Sequence, residues 1–204
     1  MDDLLNELTQ MQWLEIAALV LALGYVVTAA RGSQWCWPLA FTSTAIYTAI
    51  FWQSALVSES ILNAYYMAMA IVGWISWHRS LASSDTHQII IQQRDVRWHV
   101  IAITGLSVVS IVWGWLMHNA LEASYPYIDA FTTVFALFAT WLLTQRIREN
   151  WLYWIVIDAI SIGLYQSKGL WISSLLMVFY TVFAIYGWRQ WGLTSQDRTE
   201  YANA

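Results

Sequence analysis

One stretch of the sequence carries aromatic and polar side chains at helical spacing. Trp151, Trp154, Asp158, Ser161 and Tyr165 follow one another at intervals of 3, 4, 3 and 4 residues, and positions three, four and seven apart share one face of an α-helix. A carboxylate among aromatic rings attracts a positively charged ring by charge and by cation–π contact. The stripe therefore predicts a binding surface for a small cationic solute. The alternative is that the two Trp residues belong to a membrane-interface belt and that the stripe packs against protein.

Asp158 is the member of this stripe that most needs an explanation. It lies about two turns inside an apolar stretch, where an ionised carboxylate costs several kcal/mol unless it is paired or hydrated. Contact with a cationic solute is one reason for its presence. A hydrogen bond to a neighbouring helix, a protonated acid and proton coupling are the alternatives, and proton coupling would require a second titratable group near the membrane centre.

A second stripe occurs earlier in the chain. Glu59, Asn63, Tyr66 and Ala70 recur at intervals of 4, 3 and 4 residues, and the Asn63 amide offers two donors and an acceptor to a solute. The alternative is that Asn and Tyr bridge two membrane helices. With weaker additions, the predicted substrate-binding residues are Trp151, Trp154, Asp158, Asn63, Tyr66, Glu59, Gln53, Tyr165, Tyr180 and Tyr186.

The composition indicates a bilayer as the solvent. Hydrophobic residues make up 59% of the 204 residues and charged residues only 11%, about half the charged share of an average soluble domain. No basic patch interleaves with aromatic residues, which argues against nucleic-acid binding. The sequence contains no metal-ligand cluster, nucleophile elbow or phosphate-binding glycine loop. We therefore predict neither an enzyme nor a cofactor or metal site, and the lone Cys36 cannot form an intrachain disulfide.

Seven stretches are apolar enough to cross a bilayer, for which a helix needs about 20 residues. They are residues 13–30, 35–52, 57–77, 98–117, 126–145, 150–166 and 170–191. Eight of the nine Lys and Arg residues then fall on one side, and Lys168 alone falls on the other. Because basic residues are retained in the cytoplasm, we expect the N-terminus outside and the C-terminus inside.

An internal repeat relates the two halves of the sequence. Shifting the chain by 114 residues without a gap superposes Glu15 on Asp129, Trp37 on Trp151, Leu56 on Leu170, Tyr66 on Tyr180, Gly73 on Gly187 and Trp77 on Trp191. The register places helix 1 on helix 5, four spans later, and an even number of spans restores the direction in which the chain crosses the membrane. The two three-helix bundles are therefore predicted to be parallel, with helix 4 as an inverting linker between them. Parallel repeats are a known transporter plan, with the site near the midplane.

This 3+1+3 plan predicts four parts of the chain. Residues 1–77 form the first three-helix bundle, 78–125 a cytoplasmic loop and the linker helix 4, 126–192 the second bundle, and 193–204 a cytoplasmic tail. The fold class predicted from the sequence is thus an all-α integral membrane protein. In the 114-residue register Thr44 occupies the position of Asp158, which predicts an asymmetric site dominated by the second bundle.

The run from Arg148 to Asp158, with the closing Gly187-Trp188-Arg189-Gln190-Trp191 segment, resembles the PnuC family of vitamin transporters, relatives of the SWEET sugar transporters. The resemblance spans nearly the whole chain, and Glu149-Asn150-Trp151 followed by Trp154 is its most specific part. It implies a multi-pass, often trimeric protein of the bacterial inner membrane. It further implies facilitated diffusion of an unphosphorylated vitamin, which a cytoplasmic kinase then traps by phosphorylation.

The family's known substrates are nicotinamide riboside, thiamine and, in some branches, riboflavin. Typical nicotinamide riboside carriers have Asn at three positions that correspond approximately to Ala70, Tyr186 and Asp158 in this sequence. The loss of these amides weakens the resemblance to a ribose-binding site and favours thiamine as the cargo. The competing functions are a proton-coupled vitamin transporter and a non-transporting membrane scaffold or receptor.

Overall fold

The computed structural model describes residues 2–82, 89–121, 125–167 and 169–203, and it describes side chains for these ranges except 2–12, 120, 121, 172 and 196–203. Every regular element in the described part of the chain is an α-helix, and there are seven of them. The helices are α1 (Asp2–Ala30), α2 (Cys36–Gln53), α3 (Val57–Ala82), α4 (Val96–Leu121), α5 (Pro126–Thr144), α6 (Asn150–Ser167) and α7 (Trp171–Asn203). The predictions of an all-helical chain and of seven helices are therefore confirmed.

Several helices extend beyond the apolar stretches that predicted them. The helix predicted at 57–77 runs five residues further, to Ala82, and the helix predicted at 170–191 continues to Asn203. Hydropathy marks the part of a helix that suits lipid, whereas backbone hydrogen bonding continues through polar residues until a helix-ending signal. Within the described residues, three helices contain a segment long and apolar enough by composition to cross a membrane, namely Trp13–Ala30, Val96–Asn119 and Pro126–Thr144.

The chain folds into two compact units, Met1–Ile90 and Ile91–Ala204. The division falls inside the predicted connecting segment 78–125. In the first unit, α2 packs against both α1 and α3. In the second unit, α4 packs against α5, α5 against α6, and α6 against α7. Helix α4, the helix predicted to be a linker, therefore belongs to the second unit. Most of its apolar surface is exposed, as a helix that faces lipid requires.

The core of the first unit contains a tryptophan packed against a glycine. The ring of Trp37 lies where a Cβ on Gly73 would be, and it meets the ring of Trp77 edge-on at 5.3 Å and 89°. The hydroxyl of Ser60 donates to the carbonyl of Thr48 at 3.0 Å. Only a glycine allows α3 to approach α2 this closely at the tryptophan.

The core of the second unit contains the same contacts 114 residues later. A Cβ on Gly187 would lie 2.6 Å from Cε2 of Trp151, and Trp151 meets Trp191 edge-on at 5.6 Å and 90°. The hydroxyl of Ser174 donates to the carbonyl of Ile162 at 3.4 Å. Five residues of each unit thus make the same contacts in the register found in the sequence.

The turns between helices also correspond in the two units. Gly32 and Arg146 have φ angles of 70° and 60° in the α1–α2 and α5–α6 turns, and Ala55 and Gly169 have 58° and 73° in the α2–α3 and α6–α7 turns. A positive φ is easy for glycine and unfavourable for residues with a Cβ. Each pair of equivalent turns therefore has glycine in one unit and a more strained residue in the other.

Candidate solute-binding site

The stripe on α6 is positioned by the turn that precedes the helix. The side-chain Nδ2 of Asn150 donates to the carbonyl of Ile147 at 2.7 Å, and Asn150 is fully buried. This differs from a helix N-cap, in which the side-chain oxygen would accept from a backbone N–H. The Oδ1 of Asn150 has no hydrogen-bond partner in the described structure. The Asn150 side chain thus links the start of α6 to the preceding turn as a hydrogen-bond donor.

The two tryptophans of the stripe have different surroundings. Trp151 is buried between Gly187 and Trp191 of α7, and its indole N–H has no acceptor among the described residues. Trp154 is half-buried and packs against the cluster formed around Phe135 on α5. Trp151 is thus a packed residue of the second unit, and an interfacial-belt position does not describe it.

Asp158 and Ser161 form the polar centre of the stripe. Both are buried, with 4% and 8% of their surface exposed. Among the described residues, no hydrogen bond or ion pair involves either side chain, and their polar atoms are not completely enclosed by protein. Their positions three residues apart bring a carboxylate and a hydroxyl to one face of α6, one turn from the half-buried Tyr165.

This lack of partners distinguishes Asp158 and Ser161 from the other buried polar residues. Ten such residues are described, and the remaining eight all form hydrogen bonds: Ser43, Ser60, Ser80, Ser110, Thr140, Thr144, Asn150 and Ser174. Buried polar groups are ordinarily hydrogen-bonded, and exceptions call for a water, an ion or a ligand. The second unit therefore presents two buried polar side chains that make no hydrogen bond to the described residues and that a solute would satisfy.

The residues predicted on α3 lie in the first unit. Glu59 is exposed in the first turn of α3. The Nδ2 of Asn63 donates to the carbonyl of Glu59 at 2.9 Å, so one of its two donors is taken by its own helix. Tyr66 is half-buried and meets Tyr65 edge-on at 5.8 Å.

A shallow groove of about 310 Å³ lies between α2 and α3, and Gln53 is on its wall. Its lining consists of Ala45, Thr48, Ala49, Trp52, Gln53, Ser60 and Met67. Of the four residues predicted in the first unit, only Gln53 lines this groove. Glu59, Asn63 and Tyr66 lie outside it.

The two residues predicted on α7 differ in exposure. Tyr180 is half-buried, and Tyr186 is 42% exposed beside the glycine that contacts Trp151. The predicted residues thus divide between the units. Gln53, Glu59, Asn63 and Tyr66 belong to the first, and the remaining six belong to the second.

The loop before α6 is partly buried. Arg146 and Arg148 are half-buried, and Ile147 between them is fully buried. The backbone of Gln92 forms hydrogen bonds with the residues on both sides of Ile147. Gln92 N donates to Arg146 O, and Arg148 N donates to Gln92 O, both at 2.9 Å. Burial lowers the pKa of the Arg146 guanidinium.

A polar contact between α4 and α6 was not predicted from the sequence. His99 Nδ1 lies 2.9 Å from the Tyr153 hydroxyl, and His99 Nε2 lies 3.8 Å from Glu149 Oε2. His99 lies about 50 positions before both partners in the sequence, so no local spacing pattern could predict this contact. Only the tertiary structure reveals the contact. No group of His, Cys, Asp and Glu able to hold a metal occurs in the described ranges, and His87 lies outside them.

Among the described residues, helices long and apolar enough to cross a bilayer define this chain as a helical membrane protein. Residues 12–192 match the family described as nicotinamide mononucleotide transporter. The chain therefore belongs to this family, the PnuC family of vitamin transporters. It is a multi-pass membrane transporter and not an enzyme.

Characterised relatives share about a quarter of their residues with this chain. The nicotinamide riboside transporter PnuC of Escherichia coli (strain K12) is 21% identical over 179 residues, covering 76% of this chain and 75% of the relative. The PnuC of Haemophilus influenzae is 27% identical over 188 residues, covering 88% and 79%. The riboflavin/roseoflavin transporter RibM of Streptomyces davaonensis is 24% identical over 190 residues, covering 90% and 86%.

A solved structure shares the fold. The crystal structure of the vitamin B3 transporter PnuC superposes with a TM-score of 0.72 at 24% identity, covering 91% of this chain and 83% of that chain. This likeness concerns the fold of the backbone.

Proposed function

We propose that this protein takes up a small, unphosphorylated, cationic vitamin, either thiamine or nicotinamide riboside. The observation that carries this proposal is the pair of buried, unpartnered polar groups on α6, Asp158 and Ser161. A carboxylate at this depth is costly when it is ionised and alone. A permanently positive ring offsets that cost, and the hydroxyl is free to bind a polar substituent of the same solute.

Aromatic side chains of the second unit complete the proposed binding surface. Trp154 and Tyr165 lie one turn before and two turns after Asp158 on α6, and both are half-buried, so part of each ring remains available. A cation over an aromatic face is attracted by the ring quadrupole, by about 0.5–2 kcal/mol per contact. The full set also includes Trp151, Tyr180 and Tyr186 from this unit and Gln53, Glu59, Asn63 and Tyr66 from the first.

The architecture that goes with this function is a 3+1+3 arrangement of parallel bundles, spanning the bacterial inner membrane seven times. Matched contacts at Trp37 and Trp151, and matched turns at Gly32 and Arg146, support the repeat. The distribution of Lys and Arg supports an external N-terminus and an internal C-terminus. By resemblance to the family, the assembly is a homotrimer.

Uptake proceeds by facilitated diffusion, with trapping by a cytoplasmic vitamin kinase. Proton coupling through Asp158 is the alternative, and it predicts that a pH gradient drives accumulation. A scaffold or receptor without transport is the other alternative, and it predicts that no vitamin exchanges. Facilitated diffusion instead predicts exchange that is independent of the pH gradient.

Riboflavin is the second candidate cargo. A riboflavin/roseoflavin transporter is 24% identical over 90% of this chain. The ring system of riboflavin is neutral, so it would leave the Asp158 carboxylate unpaired. The charge at this position therefore favours the two cationic vitamins.

Counterflow in proteoliposomes tests the proposal directly. Vesicles containing the purified protein are preloaded with unlabelled thiamine, nicotinamide riboside or riboflavin, and entry of the same radiolabelled vitamin is followed with and without a pH gradient. We expect one of the two cationic vitamins to exchange and riboflavin to exchange poorly. Exchange of riboflavin alone would overturn the cationic site, and exchange of none would overturn vitamin transport.

A further inference from the structure

An arginine just before α6 contacts α7 through both its charge and its hydrogen-bond donors. The guanidinium carbon of Arg148 lies 3.7 Å from the ring centroid of Trp188, and Arg148 Nε donates to the carbonyl of the same residue at 3.1 Å. Planar guanidinium stacking together with a directed hydrogen bond is a combination that lysine does not reproduce fully. One side chain therefore binds both the ring and the backbone of one residue on α7.

Gly192 provides the space for this guanidinium. A Cβ added at Gly192 would collide with Nη2 of Arg148 and would lie 2.7 Å from its Cζ. The guanidinium thus lies directly on the backbone of α7, one turn beyond Trp188. Any larger residue at position 192 would displace the end of the arginine side chain.

The same segment of α7 holds Trp151. Gly187 packs against one side of the Trp151 ring, and Trp191 meets it edge-on. The backbone N–H of Trp151 donates to the carbonyl of Arg148 at 3.3 Å. Arg148 and Trp151 therefore lie one turn apart in the same contact between α6 and α7.

The first unit lacks this attachment at the equivalent positions. There, 114 residues earlier, Gln34 replaces Arg148 and its Oε1 is buried without a partner in the described structure. The ring of Trp74, equivalent to Trp188, is stacked instead by His78 from its own helix, at 6.2 Å and 10°. His78 is the residue that corresponds to Gly192 in the repeat. Trp74 also meets Trp35, just before α2, edge-on at 5.8 Å. In the described residues the first unit therefore has an aromatic contact where the unit that carries Asp158 has an arginine contact.

We propose that Arg148 is a positioning residue that clamps the first turn of α6 to α7 and thereby sets the position of Trp151 in the solute-binding stripe. This inference rests on the proposed function for its effect on substrate, but the clamp itself is a separate physical claim. Asp158 lies two turns further along α6, so movement at the first turn would also shift the carboxylate relative to α7.

Two variants remove the clamp in different ways. Arg148→Gln introduces the residue that the first unit has at this position, and Gly192→Ala displaces the guanidinium while leaving the arginine in place. The control is Gly163→Ala, the same substitution on α6 at a glycine whose added Cβ would meet nothing within 4 Å. Arg148→Lys tests conservative rescue, since it keeps the cation near Trp188.

Two measurements on the purified protein separate the clamp from the proposed function. Amide hydrogen exchange in peptides covering residues 149–154 reports the first turn of α6, and equilibrium binding of thiamine and nicotinamide riboside reports the site. For Arg148→Gln and for Gly192→Ala we expect amide exchange about tenfold faster and vitamin affinity about tenfold weaker.

Because both changes act through one contact, the double variant should show no further change in amide exchange or in affinity. Gly163→Ala should match the wild type, and Arg148→Lys should recover only part of the affinity, because it keeps the cation but not the stacked plane of the guanidinium.

Unchanged amide exchange in Arg148→Gln would overturn the clamp. Faster exchange with unchanged affinity would overturn the positioning role. A wild-type protein that binds neither vitamin would refute the proposed function, and the exchange measurement would still decide whether the clamp exists.

Discussion

At the scale of single residues, Asp158 carries the central prediction. The Asp158→Asn variant keeps the size of the side chain and removes its charge. Loss of one partner from a buried charge contact costs about 2 kcal/mol or more, so we expect affinity for the cationic vitamin to fall at least about thirtyfold. Removing a buried, unpaired carboxylate should not lower the thermal unfolding midpoint. Binding and unfolding are both measured on the detergent-purified protein.

The matched control for this variant is Thr44→Ala. Thr44 occupies the equivalent position on α2, but its hydroxyl donates to the carbonyl of Ala40 at 2.7 Å and so needs no solute. We expect its affinity for the vitamin to remain near that of the wild type. A structural role for Asp158 would appear as the opposite pattern, with a lower unfolding midpoint and unchanged affinity in Asp158→Asn.

Part of the candidate site could be predicted at this scale and part could not. Helical spacing was sufficient to place Asp158, Ser161 and Tyr165 on one face, because spacing depends only on the geometry of α6. It could not reveal that Trp151 is enclosed by α7, or that Arg148 is half-buried, because those facts depend on a neighbouring helix. Charge alone made Arg148 resemble a solvated loop residue.

At the scale of helices, the contacts between glycine and tryptophan should control stability. A methyl group on Gly73 or Gly187 would overlap the ring of Trp37 or Trp151, and overpacking of this kind costs about 1–3 kcal/mol. We expect each Gly→Ala variant to unfold at a lower temperature, measured by thermal denaturation in detergent. Gly105→Ala is the control, since an added Cβ there would meet nothing within 4 Å. Equal midpoints for all three variants would show that these contacts are looser than described.

The turns make a second prediction at the same scale. Ala55 has a φ of 58° and is exposed, whereas its counterpart Gly169 has a φ of 73°. We expect Ala55→Gly to stabilise the protein by about 1 kcal/mol and Gly169→Ala to destabilise it by a similar amount, since this conformation is unfavourable for residues with a Cβ. Chemical or thermal unfolding of the two variants in parallel measures both effects. Shifts of the same sign would contradict this explanation.

The existence and order of the helices could be predicted from the sequence, whereas their ends could not. The apolar stretch 98–117 correctly located α4, but the helix extends from Val96 to Leu121. Hydropathy detects the thickness of a bilayer, and a helix continues into polar residues such as Asn119 while its backbone remains hydrogen-bonded. Ends of this kind depend on capping and turn geometry, which composition does not report.

At the scale of the whole molecule, the proposed orientation can be tested by labelling. In a Cys36→Ser background, Ser54→Cys lies in the α2–α3 turn and Asp95→Cys lies just before α4, and both positions are exposed. We expect a membrane-impermeant maleimide to label Ser54→Cys in intact cells, and to label Asp95→Cys only after the membrane is opened. The reverse pattern would place the N-terminus inside.

The most direct test compares each cationic vitamin with a reduced analogue whose ring carries no permanent positive charge. Thiamine competes with tetrahydrothiamine, and nicotinamide riboside with its reduced form, for exchange into proteoliposomes containing the wild type or Asp158→Asn. Because both proteins meet the same two molecules, the change in the ratio of affinities between the wild type and Asp158→Asn isolates the effect of the charge. We predict that the wild type prefers the cationic form by at least about tenfold, and that this preference disappears in Asp158→Asn. An equal preference in both proteins would contradict the assignment of Asp158 as the residue that binds the positive ring.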